Sequence, residues 1–415
     1  MRKSPYLVFI IMLTFFVISF LSNIIGPLIP DIIQGFHLNL TLVALLPFAF
    51  FIAYGIMSIP AGMFLEVYQE KKVMIFAFML ACVGSMIIVI FPNYVSAIVS
   101  LFLIGCGMAM LQVVINPLLR TAGGEEHYAF YSVMGQLTFG FASFLSPMVY
   151  QYFLSQKKLA QTEANWMSAI FAYLPENLSW LSLYFLFVAI CLGMIVVIYV
   201  STFPKVELQE DEKAGPLATH VELFKNKYVL LYFFAMLCYV GTEQGVANWI
   251  SQFLATYHQV DPQTLGADTV AYFWGLMTAG GILGLVLLKI MDSRVVLASF
   301  TFLAMISLGF ALWGPIHYAL VAFPLVGFFA SVIYPVIFSL ALNSVDKHHG
   351  SFSGIIVTGI IGGAIVPFLV GWIGDHWGLQ IGMGILFLSL GYIFSIGFWA
   401  KPIIQNKRIQ LFDSK

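Results

Sequence analysis

The stretch Lys205–Lys227, KVELQEDEKAGPLATHVELFKNK, divides this 415-residue chain almost at its midpoint. It holds nine charged residues, in a chain with only 18 basic and 19 acidic residues. A long block of nearly continuous apolar sequence lies on either side of it, broken only by short turns. A charged middle between two apolar blocks is typical of a cytoplasmic connector that joins two similar halves of a membrane protein.

The composition excludes several classes of protein. Hydrophobic residues make up 61% of the chain and charged residues 9%, whereas about 25% of a soluble domain is charged. The histidines and cysteines do not show the spacing of a zinc site, and no glycine-rich stretch is followed by the lysine and serine of a phosphate-binding loop. No basic stripe indicates nucleic acid. We therefore expect a polytopic membrane protein with no enzymatic activity, no cofactor and no bound metal.

Apolar runs long enough to cross a bilayer need about 20 residues. Cutting the chain at charged, Pro, Gly and Asn turns predicts an all-α membrane protein with twelve transmembrane helices. The predicted spans are 6–33, 41–65, 72–92, 94–119, 128–154, 179–203, 228–256, 269–290, 294–314, 316–344, 352–374 and 379–400.

The distribution of basic residues predicts the orientation of these helices. If the N-terminus is cytoplasmic, all basic residues except Lys157 and Lys158 fall in cytoplasmic segments, as the positive-inside rule requires. We expect an N-terminal six-helix half at 1–203, a cytoplasmic connector at 204–227, a second half at 228–401 and a cytoplasmic tail at 402–415. The short loops fit a bacterial cytoplasmic membrane.

The two halves also repeat one another. Four residues of the fourth span share one helical stripe at offsets 0, 4, 7 and 11, and four residues of the tenth span occupy the same offsets. The two sets are Gly105, Ala109, Gln112 and Asn116, and Gly327, Ser331, Tyr334 and Phe338. Such a repeat predicts two pseudo-symmetric halves with a solute site between them.

The seventh span carries an acidic residue at mid-depth. Gln244, Asn248, Ser251 and Gln252 form a predicted polar stripe, and Glu243 lies at its edge. Ionisable groups inside the membrane are costly and often mark transport pathways. We expect Glu243 to bind a coupling Na⁺ or H⁺. The alternative is an internally bonded acid that fixes helix packing.

Carboxamides and aromatic rings provide the candidate solute site. Gln112 and Asn116, one turn apart, offer paired donors and acceptors suited to vicinal hydroxyls. The further polar candidates for binding the solute are Asn23, Gln136, Gln244 and Asn248. The alternative for each is an interhelical hydrogen bond that holds helices together. Four aromatic residues could stack on a sugar ring, although plain packing is the alternative for each: Trp249, Trp274, Tyr334 and Phe338.

Short motifs spread over nearly the whole chain resemble the fucose–galactose–glucose symporter branch of the major facilitator superfamily. They are Pro60–Gly62, Asn116–Pro117, Gln136, Tyr239–Glu243, Tyr334–Ala341 and Gly362–Pro367. The resemblance implies two pseudo-symmetric six-helix halves and transport of a sugar with a cation. It also implies a gating loop between the second and third spans, at Gly62, Glu66, Lys71 and Lys72.

The sequence departs from this branch at three functional positions. The fucose–proton symporters carry an aspartate on the first span and a glutamate before Asn-Pro on the fourth, where this chain has Gly26 and Gln112. The family asparagine that follows Gln136 by three residues is Phe139 here. A fucose-type proton route is therefore absent, and Glu243 is the remaining candidate for coupling.

These observations predict a secondary transporter of a small neutral sugar, expected to be a hexose. It would alternate its access between the two sides of the lipid bilayer. One alternative is an uncoupled facilitator or exporter of a more apolar solute, since Phe139 and the aromatic residues would suit an apolar cavity. Another is a membrane sensor or scaffold, but the connector and tail are too short to supply a soluble output domain.

Overall fold

A computed structural model of the chain describes residues 4–124, 127–160, 167–203, 222–344 and 349–401. These residues form helices and short turns, and no strand occurs among them. Most of the charged connector, residues 204–221, and the C-terminal tail, residues 402–415, lie outside the described residues. The predicted boundaries of these two segments stay predictions.

Twelve long helices, α1 to α12, run back and forth through the described residues. Eleven are long and apolar enough to cross a membrane. The remaining one, α5, has 33 residues and carries more polar side chains than the others. Their bounds are α1 Pro5–Phe36, α2 Leu40–Leu65, α3 Val67–Ile90, α4 Tyr94–Gly123, α5 Tyr128–Ala160, α6 Glu176–Val200, α7 Lys227–Ala247, α8 Pro262–Ile290, α9 Ser293–Trp313, α10 Ile316–Leu342, α11 Phe352–Trp377 and α12 Leu379–Trp399. The predicted all-α fold of twelve spans is confirmed.

Polar residues in the turns begin these helices. The side chain of Asn39 accepts the backbone N–H of Leu42 at the start of α2, and Asn93 accepts that of Ser96 at the start of α4. Asp292 caps α9 in the same way through Arg294. Such side-chain caps satisfy backbone donors that the first turn of a helix leaves free.

The ends of the bundle need names that do not depend on a membrane. We call the end where α1 begins the near end, and the end that holds the α1–α2 turn the far end. Lys71, Lys227 and Arg294 lie at the near end because alternate helices turn there. Lys157, beyond the middle of α5, lies at the far end. Which end faces the cytoplasm stays a prediction.

The two halves repeat a close helix contact, which confirms the pseudo-symmetry. A side-chain carbon on Gly105 of α4 would collide with the backbone oxygen of Phe50 on α2. A side-chain carbon on Gly327 of α10 would collide in the same way with the backbone oxygen of Phe273 on α8. Glycine at both places lets the two backbones touch. The two glycines hold the same position in the predicted repeat.

Several helices are broken where they were predicted to be continuous, among them the first helix of each half, α1 and α7. α1 consists of Pro5–Asn23 and Ile25–Phe36. α7 ends at Ala247, and a second segment, Ile250–His258, continues it after a break at Asn248 and Trp249. The predicted stripe from Gln244 to Gln252 is therefore interrupted. The breaks occupy corresponding places in the two halves, and such paired breaks often mark a transporter's binding site.

The halves meet along two helix pairs, α2 with α11 and α5 with α8. The rings of Phe48 and Phe368 pack together in the first pair, with centroids 5.8 Å apart. In the second, Gly275 of α8 packs against Phe144 of α5. Hydrogen bonds that join two described residues of different halves all lie at mid-depth or at the far end. The far end is therefore closed by polar contacts.

Candidate functional site

Glu243 lies inside the bundle on α7 and is held by two neighbours of its own helix. The hydroxyl of Tyr239, one turn earlier, donates to Glu243 Oε2 at 2.5 Å. The Nε2 group of Gln244 donates to Glu243 Oε1 at 3.2 Å. Hydrogen bonds of this kind satisfy a carboxylate that water cannot reach freely. The residue as a whole is half-buried.

A hydrogen-bond network continues from Gln244 into the other half. Gln244 Nε2 also lies 3.4 Å from Asn23 Oδ1 on α1. Asn23 Nδ2 donates to Ser143 Oγ on α5 at 2.9 Å, and the hydroxyls of Ser143 and Ser19 are 2.6 Å apart. Asn23 is 5% exposed and Gln244 3% exposed. The structure therefore brings together two predicted site residues that the chain separates by more than half its length.

The three other predicted solute-binding carboxamides of the N-terminal half are less buried than Asn23. Gln112 on α4 is half-buried, while Asn116 on α4 and Gln136 on α5 are exposed. None of the three has a hydrogen bond to a described residue. A free carboxamide is costly in hydrocarbon, so we infer that these side chains face a water-filled opening between the halves. They are free to bind hydroxyl groups.

The predicted site residues just beyond Glu243 are buried. Trp249 is fully buried, and its indole N–H donates to the backbone oxygen of Pro367 on α11 at 3.2 Å. Trp274 is 3% exposed and Asn248 4% exposed. Asn248 Nδ2 and Trp274 Nε1 have no partner among the described residues. Solute stacking on these tryptophans stays a prediction, because neither ring is open in this conformation.

Two aromatic residues of α10 lie beside Tyr239. The rings of Tyr334 and Phe338 are stacked, with centroids 6.1 Å apart. Tyr334 also lies 5.9 Å from the ring of Tyr239, the donor to Glu243. Both α10 residues are half-buried. An aromatic surface of this size suits the apolar face of a ring-shaped solute.

The predicted gating loop has a fixed place within one half. Lys71 Nζ donates to the backbone oxygens of Tyr199 and Ser201, at 2.7 and 2.8 Å, at the C-terminal end of α6. A cation there complements the helix dipole. Gly62 is half-buried and Lys72 exposed, while the side chain of Glu66 lies outside the described residues. The contacts of Lys71 stabilise the N-terminal half, and its gating role stays a prediction.

Two carboxylates at the far end, Asp31 and Asp375, join the halves, and neither is a predicted site residue. Asp31 lies near the end of α1, which runs to Phe36. Asp31 accepts hydrogen bonds from Tyr150 Oη and from Gln263 Nε2, the latter at 3.1 and 3.2 Å. Asp375 accepts the N–H groups of two residues at the start of α2.

The side chains of this site can bind a neutral solute and a cation or a proton. Within the described residues, no group of three or more histidine, cysteine or acidic side chains could hold a metal ion. Glu243, Gln244 and Asn23 instead offer carboxylate and amide oxygens, which suit a hard monovalent cation or a proton. The site contains neutral donors and acceptors and one acid, so it favours a neutral solute.

Known proteins with similar sequences are transporters. A glucose/galactose transporter of Brucella abortus is 28% identical over 391 residues, which cover 92% of this chain and 90% of that protein. The L-fucose-proton symporter of Escherichia coli is 27% identical over 385 residues, covering 88% and 86%. The resemblance to the fucose–galactose–glucose branch is confirmed by these relatives.

Solved structures share the fold. A crystal structure of the Escherichia coli fucose:proton symporter superposes with a TM-score of 0.68 at 23% identity, covering 96% of this chain and 100% of that one. A bacterial homologue of the lysosomal transporter Spinster, in an inward-facing conformation, superposes with a TM-score of 0.72 at 13% identity, covering 95% and 98%. The family model of the Major Facilitator Superfamily matches residues 11–365. The chain belongs to the Major Facilitator Superfamily.

Proposed function

We propose that this protein is a secondary active transporter that moves a neutral hexose across a cell membrane, coupled to Na⁺ or H⁺ through Glu243. The observation that supports coupling most directly is the position of this carboxylate. It lies inside the bundle, and a hydrogen bond of Gln244 joins its surroundings to the other half. An ion bound there changes the contact between the halves.

Three observations support a hexose as the solute. The open carboxamides of Gln112, Asn116 and Gln136 carry the donors and acceptors that hydroxyl groups need. The stacked rings of Tyr334 and Phe338 provide an apolar surface on the opposite half. The relatives named above include a glucose/galactose transporter and a fucose-proton symporter.

We also propose that the two halves rock about this site and that both termini face the cytoplasm. The structure corresponds to one end state of such a cycle, in which polar contacts close the far end while carboxamides stand open between the halves. The distribution of basic residues supports a cytoplasmic near end. We place the protein in a bacterial cytoplasmic membrane, as a monomer.

The second candidate is an uncoupled facilitator or exporter of a more apolar solute. Phe139 favours it, because this half-buried residue stands where the family has an asparagine and offers the opening no polar side chain. This function requires neither a hydroxyl pattern on the solute nor an ion gradient, so the same experiment separates the two.

The test is uptake of labelled glucose, galactose and fucose into proteoliposomes. A sodium gradient and a proton gradient are imposed separately, and liposomes without a gradient are the control. We expect one gradient to drive accumulation of at least one hexose above equilibrium. Uptake that only equilibrates, whatever the gradient, would contradict coupling, and the absence of uptake of all three hexoses would favour the apolar solute.

A further inference from the structure

We propose that the paired amides of Gln244 and Asn23 couple ion binding at Glu243, in the C-terminal half, to the hydrogen bonds of the N-terminal half. This inference rests on the proposed coupling role of Glu243. Gln244 and Asn23 are positioning residues here, because they act through the carboxylate and not on the solute. Nothing in the sequence predicted their contact.

The argument begins with the donors of Gln244. Its Nε2 group has two hydrogens, and two acceptors lie within reach, Glu243 Oε1 at 3.2 Å and Asn23 Oδ1 at 3.4 Å. Both N–H groups are therefore used when Glu243 is a bare carboxylate. In turn Asn23 directs its own Nδ2 group away from Gln244, towards Ser143 and Ser19. These hydrogen bonds match an ionised Glu243 that holds neither a proton nor a cation.

A proton or a cation on the Glu243 carboxylate disfavours donation from the Gln244 amide to that carboxylate. A proton or a cation bound to Glu243 Oε1 interacts favourably with an oxygen atom and not with an N–H group. The Gln244 amide is therefore favoured to rotate and to present its own Oε1 to Glu243. That rotation also places an oxygen opposite Asn23 Oδ1, and two acceptors that face each other repel. Asn23 then has to turn its Nδ2 group to Gln244. A buried amide that does not follow leaves a donor without a partner, which is unfavourable.

The N-terminal half can complete the turned arrangement. Asn23 Oδ1 would then face the hydroxyls of Ser143 and Ser19, both buried. In the present arrangement Ser19 and Ser143 donate to the backbone oxygen of Phe139, at 2.5 and 3.1 Å. A hydroxyl can rotate from that oxygen to the asparagine. Asn23, Ser19 and Ser143 therefore have two hydrogen-bond patterns, and we infer that the occupancy of Glu243 selects between them.

Packing restricts both amides to these rotations. Gly26 of α1, close to Asn23, lies against the backbone oxygen of Ala247, so α1 and α7 touch at their breaks. Gly363 of α11 packs against both Phe51 and the side-chain stem of Gln244. The other titratable groups beside Glu243 are the phenols of Tyr239 and Tyr334.

This contact is also well placed to act on the solute site. Of the hydrogen bonds that join described residues of the two halves, the Gln244–Asn23 bond is the one at mid-depth, and the others lie at the far end. Asn23 belongs to the half that carries the open carboxamides of Gln112, Asn116 and Gln136. Reorientation of Asn23 and Ser143 therefore takes place inside the half that carries these three predicted solute ligands.

The test is a double-mutant cycle on the cation dependence of solute binding. Affinity of the purified protein for labelled glucose or galactose is measured with and without Na⁺, and at low and high pH. In the wild type we expect the coupling cation to tighten binding by about tenfold. Glu243→Gln abolishes this effect, and Gln244→Met or Asn23→Leu reduces it to less than about twofold. The double variant Glu243→Gln/Gln244→Met shows no further loss, because both changes break one connection.

Two control variants separate this role from plain packing. The exchanged pair Asn23→Gln/Gln244→Asn keeps both amides and is expected to restore most of the cation effect. Gln252→Met removes a carboxamide that bonds Thr256 on the same helix segment, and it should leave the cation effect unchanged. A merely structural contact would lower affinity equally with and without the cation.

Each result has a distinct meaning. If Gln244→Met and Asn23→Leu keep the full cation effect while Glu243→Gln loses it, the amide connection is refuted and the coupling role of Glu243 stands. If Glu243→Gln itself keeps the full effect, the proposed function is refuted first. Monodisperse elution of each variant in detergent establishes folding, and Asn23→Leu tests the connection independently if Gln244→Met does not fold.

Discussion

A single carboxylate in the membrane interior needs partners, and at Glu243 these partners are a phenol and an amide. A hydrogen bond to a charged group is worth about 1.5–3 kcal/mol, more than one between neutral groups. Tyr239 donates at 2.5 Å and Gln244 at 3.2 Å, so Tyr239 makes the shorter of the two bonds. A hydroxyl donor of this kind stabilises the ionised form of the Glu243 carboxylate.

Removal of this hydroxyl gives a prediction at the scale of one residue. In Tyr239→Phe the free carboxylate loses one donor, so a bound cation is favoured over an empty site. We expect the half-saturating cation concentration for hexose uptake to fall by about tenfold, and turnover to fall because the ion leaves more slowly. The measurement is the cation dependence of uptake in proteoliposomes.

Tyr392→Phe is the matched control for that experiment. It removes a hydroxyl that donates to the backbone oxygen of Leu231 at 2.9 Å within the same half. The cation dependence of this variant should match that of the wild type. An unchanged dependence in Tyr239→Phe would mean that the phenol does not stabilise the ion-free site.

The residues of the site could be predicted individually, but their contacts could not. Glu243, Gln244 and Asn23 stand out in the sequence because polar groups are rare in these spans. Whether they meet depends on the rotation of α1 and α7 about their axes, which the sequence pattern leaves open. Trp249 shows the same limit, since its ring contacts α11 through Pro367 and does not face the opening between the halves.

Individual helices interact across the two halves through their ends. Asp375, near the end of α11, accepts the backbone N–H groups of Leu40 at 2.9 Å and Thr41 at 2.7 Å, and the Thr41 hydroxyl. Asn39 satisfies the next donor, that of Leu42. The first turn of α2 is thus capped partly by its own half and partly by the other. An acid at a helix N-terminus also complements the helix dipole.

Loss of this cap gives a prediction at the scale of helices. Asp375→Ala removes the acceptors from the first turn of α2, and an N-cap contributes about 1 kcal/mol. We expect the ratio of far-end-closed to far-end-open molecules to fall by about fivefold. A cysteine in place of Phe48, which packs on Phe368 between α2 and α11, reports the opening through its rate of thiol labelling.

The cysteine is introduced after replacement of Cys82, Cys106, Cys191 and Cys238. Asp292→Ala is the control, because it removes an N-cap that lies within one half. Labelling should rise in Asp375→Ala and stay near the original rate in Asp292→Ala. Equal rates in all three proteins would show that Asp375 does not hold the far end closed.

The number and order of the helices could be predicted, whereas their breaks could not. Long apolar runs and the polar turns between them predict twelve spans because the hydrocarbon core fixes the length of a span. The break of α7 falls at Asn248 and Trp249, where no proline or glycine marks it. It depends on tertiary contacts, among them the bond from Trp249 to α11.

In the whole molecule, polar contacts close the far end, and the proposed ion site at Glu243 lies at mid-depth where the halves touch. Far-end contacts hold α2 to α11 and the start of α8 to α1 and α5. At mid-depth the connection is one amide pair next to the only acid that the sequence places near the middle of a span. The repeated glycine contacts at Gly105 and Gly327 keep each half rigid. Under the proposed coupling, a small change at Glu243 alters how the halves meet.

The central claim is that Glu243 couples solute movement to an ion, and one comparison tests it most directly. Wild type and Glu243→Gln are reconstituted in parallel, and gradient-driven accumulation and equilibrium exchange of the transported hexose are measured in the same vesicles. Glu176→Gln, which changes an exposed acid at the far end, is the control. We predict that Glu243→Gln still exchanges hexose but accumulates none, while the control does both. Accumulation by Glu243→Gln at the wild-type level would contradict this account.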